Sequence, residues 1–544
     1  MGLKLVTFTS LLVTVAVHLS FSLPHEEDPE YWNKNAQNTL NDILSTKPNT
    51  NVAKNVIMFL GDGMGISTIT AARIYKGQKN NQTGEEGFLS WDKFKDTALL
   101  KTYNVDKQVP DSAGTAVAFL SGVKSNAWVL GVDAKAKKGD CLSSKGAEID
   151  SIATWFQKEN KATGFVTTSR ITHASPAGLY ANIPHRDWES DDKIPMDQRP
   201  YNCKDIARQL IEDDPGRNLK VILGGGRRHF FPNTTLDKKS NKANVRTDGR
   251  NLVEEWMSDK AKKNSKSSYV TNLEEFNKVD LKTTDYLLGL FEHSNMNYEL
   301  NRDTSPKGEP SLREMTIKAI EMLSKEPNGY FLFVEGARID HAHHENLAVH
   351  AMEETYQFDK AVQAALDRVN TDETLIVVTA DHAHSVKITG SQNRGKNILG
   401  IAENSVADGL PYTTILYSSG PGYVSNGTAA RQKLANNFTI GKLGVYAEVD
   451  VMDAARDVMD AVRDVIPVAY KNYEYMATVP RNWSAHGGED IQVAAYGPMS
   501  HLFRGVQEQN YVAHVMAYAS CVGRNKNHCQ NASSGGARIP DNWL

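Results

Sequence analysis

Residues 331–345 combine an apolar run with a dense set of acidic and imidazole side chains. The run from Phe331 to Val334 predicts a short buried strand. Glu335, Asp340 and His344 follow it, with two more histidines between them. Mg²⁺ prefers oxygen ligands, whereas Zn²⁺ accepts imidazole and carboxylate together. Because such side chains repel or compete unless a cation lies among them, the segment predicts a metal site rather than a histidine-rich surface loop.

Three further apolar runs end in side chains of similar chemistry. They are followed by Asp62, by the His173–Ser175 loop with Arg186 beyond it, and by Asp381-His382. A parallel, doubly wound α/β sheet gathers the carboxyl ends of its strands along one edge. We therefore expect these side chains to meet there. Each segment taken alone is also compatible with an ordinary polar turn or a solvated surface charge.

Ser112 lies at the start of an Ala-rich run that ends at Gly122, which is typical of a helix. A serine hydroxyl at a helix N-terminus is close to free backbone N–H groups, which favour an oxyanion or a phosphate. The alternative is a simple helix cap. Since the Gly-x-Ser-x-Gly pattern of hydrolase triads is missing, a nucleophilic Ser112 requires another activator, and a metal ion is the obvious one.

The chain of 544 residues predicts one large α/β domain over residues 51–544, with insertions. A peripheral metal-binding insertion is expected at about 233–312, and a crown-like insertion at about 387–480. A formal net charge of −4 gives no electrostatic indication of nucleic-acid binding. Gly224 to Gly226 match no phosphate-binding loop motif.

Residues 1–22 have the pattern of a secretory signal peptide, with Lys4 before the apolar run Leu11–Val17. The alternative is a buried N-terminal helix. Residues 23–50 are polar and predict an N-terminal arm. We find no other long apolar run, and residues 531–544 contain no hydrophobic tail of a lipid-anchor signal, so we expect a secreted protein without a transmembrane segment.

Cysteines and glycosylation motifs agree with export. An even number of cysteines in an exported chain favours disulfides, and proximity pairs Cys521 with Cys529, leaving Cys141 for Cys203. Six Asn-x-Ser/Thr motifs are candidate glycan acceptors. They begin at Asn81, Asn233, Asn426, Asn437, Asn482 and Asn531.

Six motifs together resemble those of animal alkaline phosphatases, and we expect an invertebrate-like member of that family. They span most of the mature chain in the family's order. The motifs are Gly61-Asp-Gly-Met64, Asp111-Ser-Ala113, His173-Ala-Ser-Pro176 with Arg186-Asp-Trp188, Glu335 to His344, Thr379-Ala-Asp-His382 and His486-Gly-Gly-Glu-Asp490. The resemblance implies a homodimeric, metal-dependent enzyme that hydrolyses small phosphate monoesters at alkaline pH through a phosphoserine on Ser112.

The resemblance also implies two zinc ions, one magnesium ion and a role for each polar residue. Arg186 would hold the phosphate. One zinc set is Asp340, His344 and His486; the other is Asp62, Asp381, His382 and the Ser112 oxygen; the magnesium set is Asp62, Ser175 and Glu335. His384 would orient a zinc ligand, and His173 and His341 would line the pocket. His343 falls outside these sets and is expected to be structural.

Vertebrate members of the family have a peripheral calcium site, which here would use Asp237, the Phe291 carbonyl, Glu292 and Glu309. The sequence around Asp237 crosses a shortened loop. Position 391, where vertebrate members place a tyrosine that reaches the partner subunit, is a serine. Dimer contacts are therefore expected to differ.

Two other functions are compatible with this type of fold. A related phosphodiesterase usually has a threonine nucleophile, and a sulfatase needs a Cys/Ser-x-Pro-x-Arg pattern; Asp111-Ser-Ala113 matches neither. A binding protein that has lost catalysis would be expected to lack the nucleophile or a ligand, yet every such position holds a residue of the required type.

Overall fold

The computed structural model describes residues 24–423 and 471–529. The helices in these ranges are α1 (Pro29–Ser45), α2 (Ile66–Lys79), α3 (Ser112–Ser121), α4 (Ile152–Lys158), α5 (Ala174–Ala177), α6 (Ile206–Glu212), α7 (Leu252–Lys262), α8 (Leu273–Lys278), α9 (Leu312–Leu323), α10 (Arg338–His344), α11 (Ala348–Leu366) and α12 (Tyr511–Ala519). The strands are β1 (Asn55–Gly61), β2 (Asp96–Lys101), β3 (Ala162–Arg170), β4 (Val221–Gly225), β5 (Ser267–Val270), β6 (Tyr286–Leu290), β7 (Tyr330–Gly336), β8 (Thr374–Ala380), β9 (Ala383–His384), β10 (Val386–Ile388), β11 (Ile401–Asn404), β12 (Pro411–Thr413), β13 (Ile415–Gly420), β14 (Ala477–Pro480), β15 (His486–Gly487), β16 (Ile491–Tyr496) and β17 (Val506–Glu508).

A ten-stranded sheet forms the centre of the protein, in the order β17-β2-β16-β8-β1-β7-β3-β4-β6-β5. Only β16 pairs antiparallel with its neighbours in this sheet. Every residue of β1, β7 and β8 is buried. Continuous apolar sequences of this kind are typical of parallel strands that are covered on both faces. The predicted doubly wound α/β fold is confirmed.

Two groups of helices pack around the sheet. In one group α11 contacts α2 and α9, and in the other α3 contacts α4 and α12. The side chains between helices and strands form one large apolar core that includes Phe59, Phe119 and Phe333. The helices and the central sheet therefore share one continuous core.

Four adjacent strands place the predicted site residues together. The neighbours β8, β1, β7 and β3 are all parallel, so their carboxyl ends share one edge. In the register of the sheet Gly61 pairs with both Gly336 and Ala380. The residues that follow these strands are consequently neighbours in space although far apart in sequence.

The segment 233–312 is more integrated than the sequence indicated. It contributes β5 and β6 to the edge of the central sheet, and Trp256 of α7 is fully buried. The short apolar runs of these strands lie between polar, Lys- and Asn-rich loops, which hid them. Only the connecting loops of this segment are peripheral.

The structure contains both expected disulfides, Cys141–Cys203 and Cys521–Cys529. Asn81, Asn233 and Asn482 are exposed. The signal peptide, the C-terminal segment, half of the crown-like segment and the motifs at Asn426, Asn437 and Asn531 lie outside the described residues. No helix within 24–423 or 471–529 is both long and apolar enough to span a bilayer.

Candidate active site

Ser112 is the first residue of α3 and is almost completely buried. The Asp111 side chain caps this helix by accepting hydrogen bonds from the backbone N–H groups of Gly114 (3.2 Å) and Ala113 (3.3 Å). The Ser112 Oγ lies 3.1 Å from Nε2 of His382. The hydroxyl thus lies at the positive end of a helix and next to the imidazole of His382, which follows β8.

Three histidines of the site have the same arrangement of their two ring nitrogens. In each ring Nδ1 donates to a backbone carbonyl, which can only accept, so the proton is on Nδ1 and Nε2 carries a lone pair. The three pairs are His344 with Ser484 (2.6 Å), His486 with Pro110 (2.8 Å) and His382 with Ala383 (3.2 Å). Partners of this kind are typical of histidines that bind metal through the other nitrogen.

The free nitrogens of two of these rings face each other beside a carboxylate. The Nε2 atoms of His344 and His486 are 3.1 Å apart, and they lie 3.4 and 3.6 Å from oxygens of Asp340. Burial lowers the pKa of His486 to about 3, so this ring is neutral near pH 7. Two opposed lone pairs repel unless a cation lies between them. The donor set of two imidazoles and one carboxylate fits zinc.

His384 extends this first cluster. Its Nε2 lies 2.5 Å from Oδ1 of Asp340. Although burial opposes it, the histidines around Asp340 hold the pKa of this carboxyl well below its ordinary range. The contact places the His384 ring directly against the Asp340 carboxylate.

A second cluster surrounds His382. Its Nε2 lies 3.1 Å from Oδ2 of Asp381 and 3.6 Å from Oδ1 of Asp62. Both oxygens of Asp62 and Oδ2 of Asp381 are buried without a hydrogen-bond partner among the described residues. Burial, followed by repulsion from Asp340 and Asp381, raises the pKa of Asp62 well above its ordinary value. Such orphaned carboxylates fit a cation and are costly without one.

A third cluster contains mostly oxygen atoms, with one imidazole beside them. Asp62, Glu335 and His173 each bring a polar atom within 4.8 Å of the others. Thr167 donates to Oε2 of Glu335 at 2.5 Å, and the fully buried Ser175 lies nearby. Burial raises the pKa of Glu335 to about 7. The sequence did not single out Thr167, because a threonine inside a strand has no distinguishing pattern.

Arg186 is held on the same side of the pocket. Its Nη1 donates to Oδ2 of Asp111 at 3.1 Å, and its Nη2 lies 3.1 Å from Nε2 of His173. The ring of His341 packs edge-on against that of His173. Asp111 therefore has a second role beyond capping α3: it orients the guanidinium. In the sequence, Asp111 stands out only as part of a motif, and no local pattern identifies its contact with Arg186.

His343 lies outside the three clusters. Its ring bridges the hydroxyls of Thr68 (3.0 Å) and Tyr417 (2.8 Å), and it is fully buried. This arrangement is that of a structural histidine. The residues expected for a calcium site are Asp237, Phe291, Glu292 and Glu309. They lie near one another, but Asp237 forms a buried ion pair with Arg227, with Nε 2.6 Å from Oδ2, which does not fit a calcium ligand.

Comparisons with known proteins point to one family. Residues 53–522 match the family model described as alkaline phosphatase. The chain is 45% identical over 531 residues to the tissue-nonspecific alkaline phosphatase of Gallus gallus, with 96% of both chains covered. It is 40% identical to the membrane-bound alkaline phosphatase of Bombyx mori over 94% of this chain and 88% of that one.

Solved structures show the same fold. The alkaline phosphatase of Thermus thermophilus superposes with a TM-score of 0.57 at 21% identity and covers 90% of this chain and 97% of its own. That of the Antarctic bacterium TAB5 gives 0.56 at 21% identity, covering 87% and 100%. Since the family model covers residues 53–522 and the animal relatives are 40% and 45% identical over almost the whole chain, the chain belongs to the alkaline phosphatase family.

Proposed function

We propose that this protein hydrolyses phosphate monoesters at alkaline pH through a phosphoserine formed on Ser112. The observation that carries the proposal is the position of the Ser112 hydroxyl, at a helix N-terminus and 3.1 Å from a histidine whose other nitrogen is engaged. Membership of the alkaline phosphatase family supports the same reaction.

We propose that the three clusters hold two zinc ions and one magnesium ion. Asp340, His344 and His486 would hold one zinc; Asp62, Asp381, His382 and the Ser112 oxygen would hold the other; Asp62, Ser175 and Glu335 would hold magnesium. When bound, these ions supply positive charge that favours an ionised serine and stabilises the leaving oxygen. Both imidazole-containing sets suit zinc and the oxygen set suits magnesium.

The protein's own groups account for binding and orientation. Arg186, held by Asp111 and His173, presents a fork of N–H donors that suits two phosphate oxygens. Ser112 gives up its hydroxyl proton to water, and its Oγ forms a bond to phosphorus as the bond from phosphorus to the ester oxygen breaks. That oxygen takes a proton from water. Arg186 and the positive end of α3 stabilise the phosphate on Ser112 until water attacks phosphorus and the Ser112 oxygen leaves.

The test is a pair of alanine variants in the same helix. Ser112→Ala should lose at least about 1000-fold in the rate of p-nitrophenyl phosphate hydrolysis, whereas Ser121→Ala, at the far end of α3, should keep it. Elemental analysis should give unchanged zinc and magnesium in Ser121→Ala. Ser112→Ala, which loses one of the four proposed ligands of one zinc, should keep the magnesium and the other zinc. Activity retained in Ser112→Ala, a flat or acidic pH profile, or faster hydrolysis of bis(p-nitrophenyl) phosphate than of the monoester would contradict the proposal.

We also propose that the protein is secreted, glycosylated and homodimeric. Two disulfides and exposed motifs at Asn81, Asn233 and Asn482 support an extracellular location. Helix α1 has no buried residue and exposes Leu40 and Leu44, which supports its packing on a second subunit. Light scattering that gives a monomer mass, or retention of the protein inside expressing cells, would contradict these points.

A further inference from the structure

Lys239 lies among the residues that the family resemblance assigns to a peripheral calcium ion. Its ammonium group forms an ion pair with the Glu292 carboxylate and lies 3.3 Å from the carbonyl oxygen of Phe291. Two of the four expected calcium ligands are therefore already occupied by a cation of the chain. A lysine ammonium carries donors only and cannot share those oxygens with calcium at ligand distance.

Asp237, the third expected ligand, has no free oxygen for a metal. It accepts from Arg227 at Nε (2.6 Å) and Nη2 (3.2 Å), and from both the N–H and the hydroxyl of Ser240 at 2.8 Å. The Arg227–Asp237 pair is almost completely buried. Breaking a buried pair of this kind is strongly unfavourable, so Asp237 is not available to calcium.

Glu309, the fourth expected ligand, is also engaged. It is fully buried and accepts from the Asn297 side chain at 2.5 Å and from the Asn297 backbone N–H at 3.2 Å. Calcium requires six to eight oxygen ligands. Of the groups of acidic or imidazole ligand atoms within 4.8 Å of one another in the described chain, none contains Asp237, Glu292 or Glu309.

A tight turn explains how a lysine reaches this position. The Asp237 carboxylate accepts from the Lys239 backbone N–H at 3.2 Å, and the N–H of Asn241 donates to the Asp237 carbonyl at 2.9 Å. The loop therefore turns tightly directly after Asp237 and directs the Lys239 side chain to Glu292. Lys238 next to it is exposed and forms no ion pair within the described residues.

We propose that the Lys239 ammonium replaces the peripheral divalent cation in this protein, so that the region around Glu292 is stabilised without calcium. Together, Lys239 and Arg227 balance two of the three acidic charges at this place. A calcium ion added there would meet a positively charged neighbour instead of an open set of oxygens.

The experiment uses the full-length protein loaded with zinc and magnesium. Equilibrium dialysis against ⁴⁵Ca²⁺ in saturating Mg²⁺ measures calcium uptake, and the unfolding temperature is recorded with and without millimolar Ca²⁺. The variants are Lys239→Ala and, as a matched control, Lys238→Ala. We expect no calcium uptake and no thermal shift in the wild type. Lys239→Ala should unfold about 1–3 °C lower than Lys238→Ala, because it loses the ion pair with Glu292. The difference is small because the Lys239 side chain is about a third exposed and the ion pair is partly screened.

A gain of calcium-dependent stabilisation in Lys239→Ala alone would support the proposal further, since the substitution removes the competing cation. Uptake of one calcium ion per wild-type chain, or a rise of the wild-type unfolding temperature with Ca²⁺, would overturn it. Equal unfolding temperatures for the two alanine variants would also overturn it. None of these readouts depends on catalysis, so they are independent of the proposed reaction.

Discussion

Gly63 allows a direct test of the geometry around Asp340. Its φ of 68° is in the left-handed region, and a Cβ placed on it would lie 2.6 Å from Cδ2 of His384. To reach an ordinary contact of about 3.4 Å, the ring of His384 has to move by nearly an ångström. That movement weakens its 2.5 Å contact with Asp340.

The matched control is Gly249, whose φ is 75° and whose added Cβ would meet nothing within 4 Å. Gly249→Ala therefore carries only the backbone cost of roughly 1–2 kcal/mol for a non-glycine residue in this conformation. Gly63→Ala carries the same cost and in addition displaces His384, the partner of the proposed metal ligand Asp340, whose Cα and Cβ would themselves lie 3.1 Å from the added Cβ. Changes to such partners typically reduce metal affinity or activity by about 10–100-fold.

The assay combines kcat/KM for p-nitrophenyl phosphate with zinc content per chain after dialysis. We expect both quantities to fall in Gly63→Ala and to be unchanged in Gly249→Ala, while both variants show a small loss of thermal stability. If Gly63→Ala retained the activity and zinc content of Gly249→Ala, His384 would not act through Asp340, and the assignment of the first cluster would be refuted.

Two further predictions concern stability. Burial raises the pKa of Glu354 from an ordinary value of 4.5 to about 8. Between these two pH values the unfolded chain therefore binds fewer protons than the folded chain, and the stability of the fold decreases as the pH rises. The free energy of unfolding of Glu354→Gln, relative to that of the wild type, should therefore rise by up to a few kcal/mol from pH 5 to pH 9. An equal difference in unfolding temperature between the two proteins at both pH values would contradict this. The Cys141–Cys203 disulfide has a sequence separation of 62 and Cys521–Cys529 one of 8, so chain entropy gives about 4 and about 2.5 kcal/mol for them. Removing the first by alanine substitution should lower the unfolding temperature more than removing the second, and the reverse order in calorimetry would count against that estimate.

The position of the site was predictable because it follows from local patterns. The apolar runs before Asp62, Glu335 and Asp381 identify buried strands, and buried parallel strands end at a common edge. The order β8-β1-β7-β3 then places these carboxylates side by side. Residue type and strand position were sufficient here, and no knowledge of side-chain contacts was needed.

The contacts that orient the ligands were not predictable in the same way. His344 and His486 are 142 residues apart, and their Nδ1 partners are backbone carbonyls of Ser484 and Pro110. A carbonyl has no sequence signature, so only the folded loops reveal which nitrogen is free. The same holds for Thr167 and for the contact of Asp111 with Arg186.

The peripheral site shows the limit of transferring a ligand set by residue type. Asp237, Glu292 and Glu309 have the carboxylates that calcium requires, and on composition alone the site is plausible. What decides against calcium is the neighbouring cations: Arg227 is paired with Asp237, and the turn after Asp237 brings Lys239 to Glu292. The active-site carboxylates differ in this respect, because both oxygens of Asp62 are buried without a hydrogen-bond partner among the described residues. The state of the lone pairs, rather than the identity of the residues, separates a set of acids that fits a metal from one that is already neutralised by the protein.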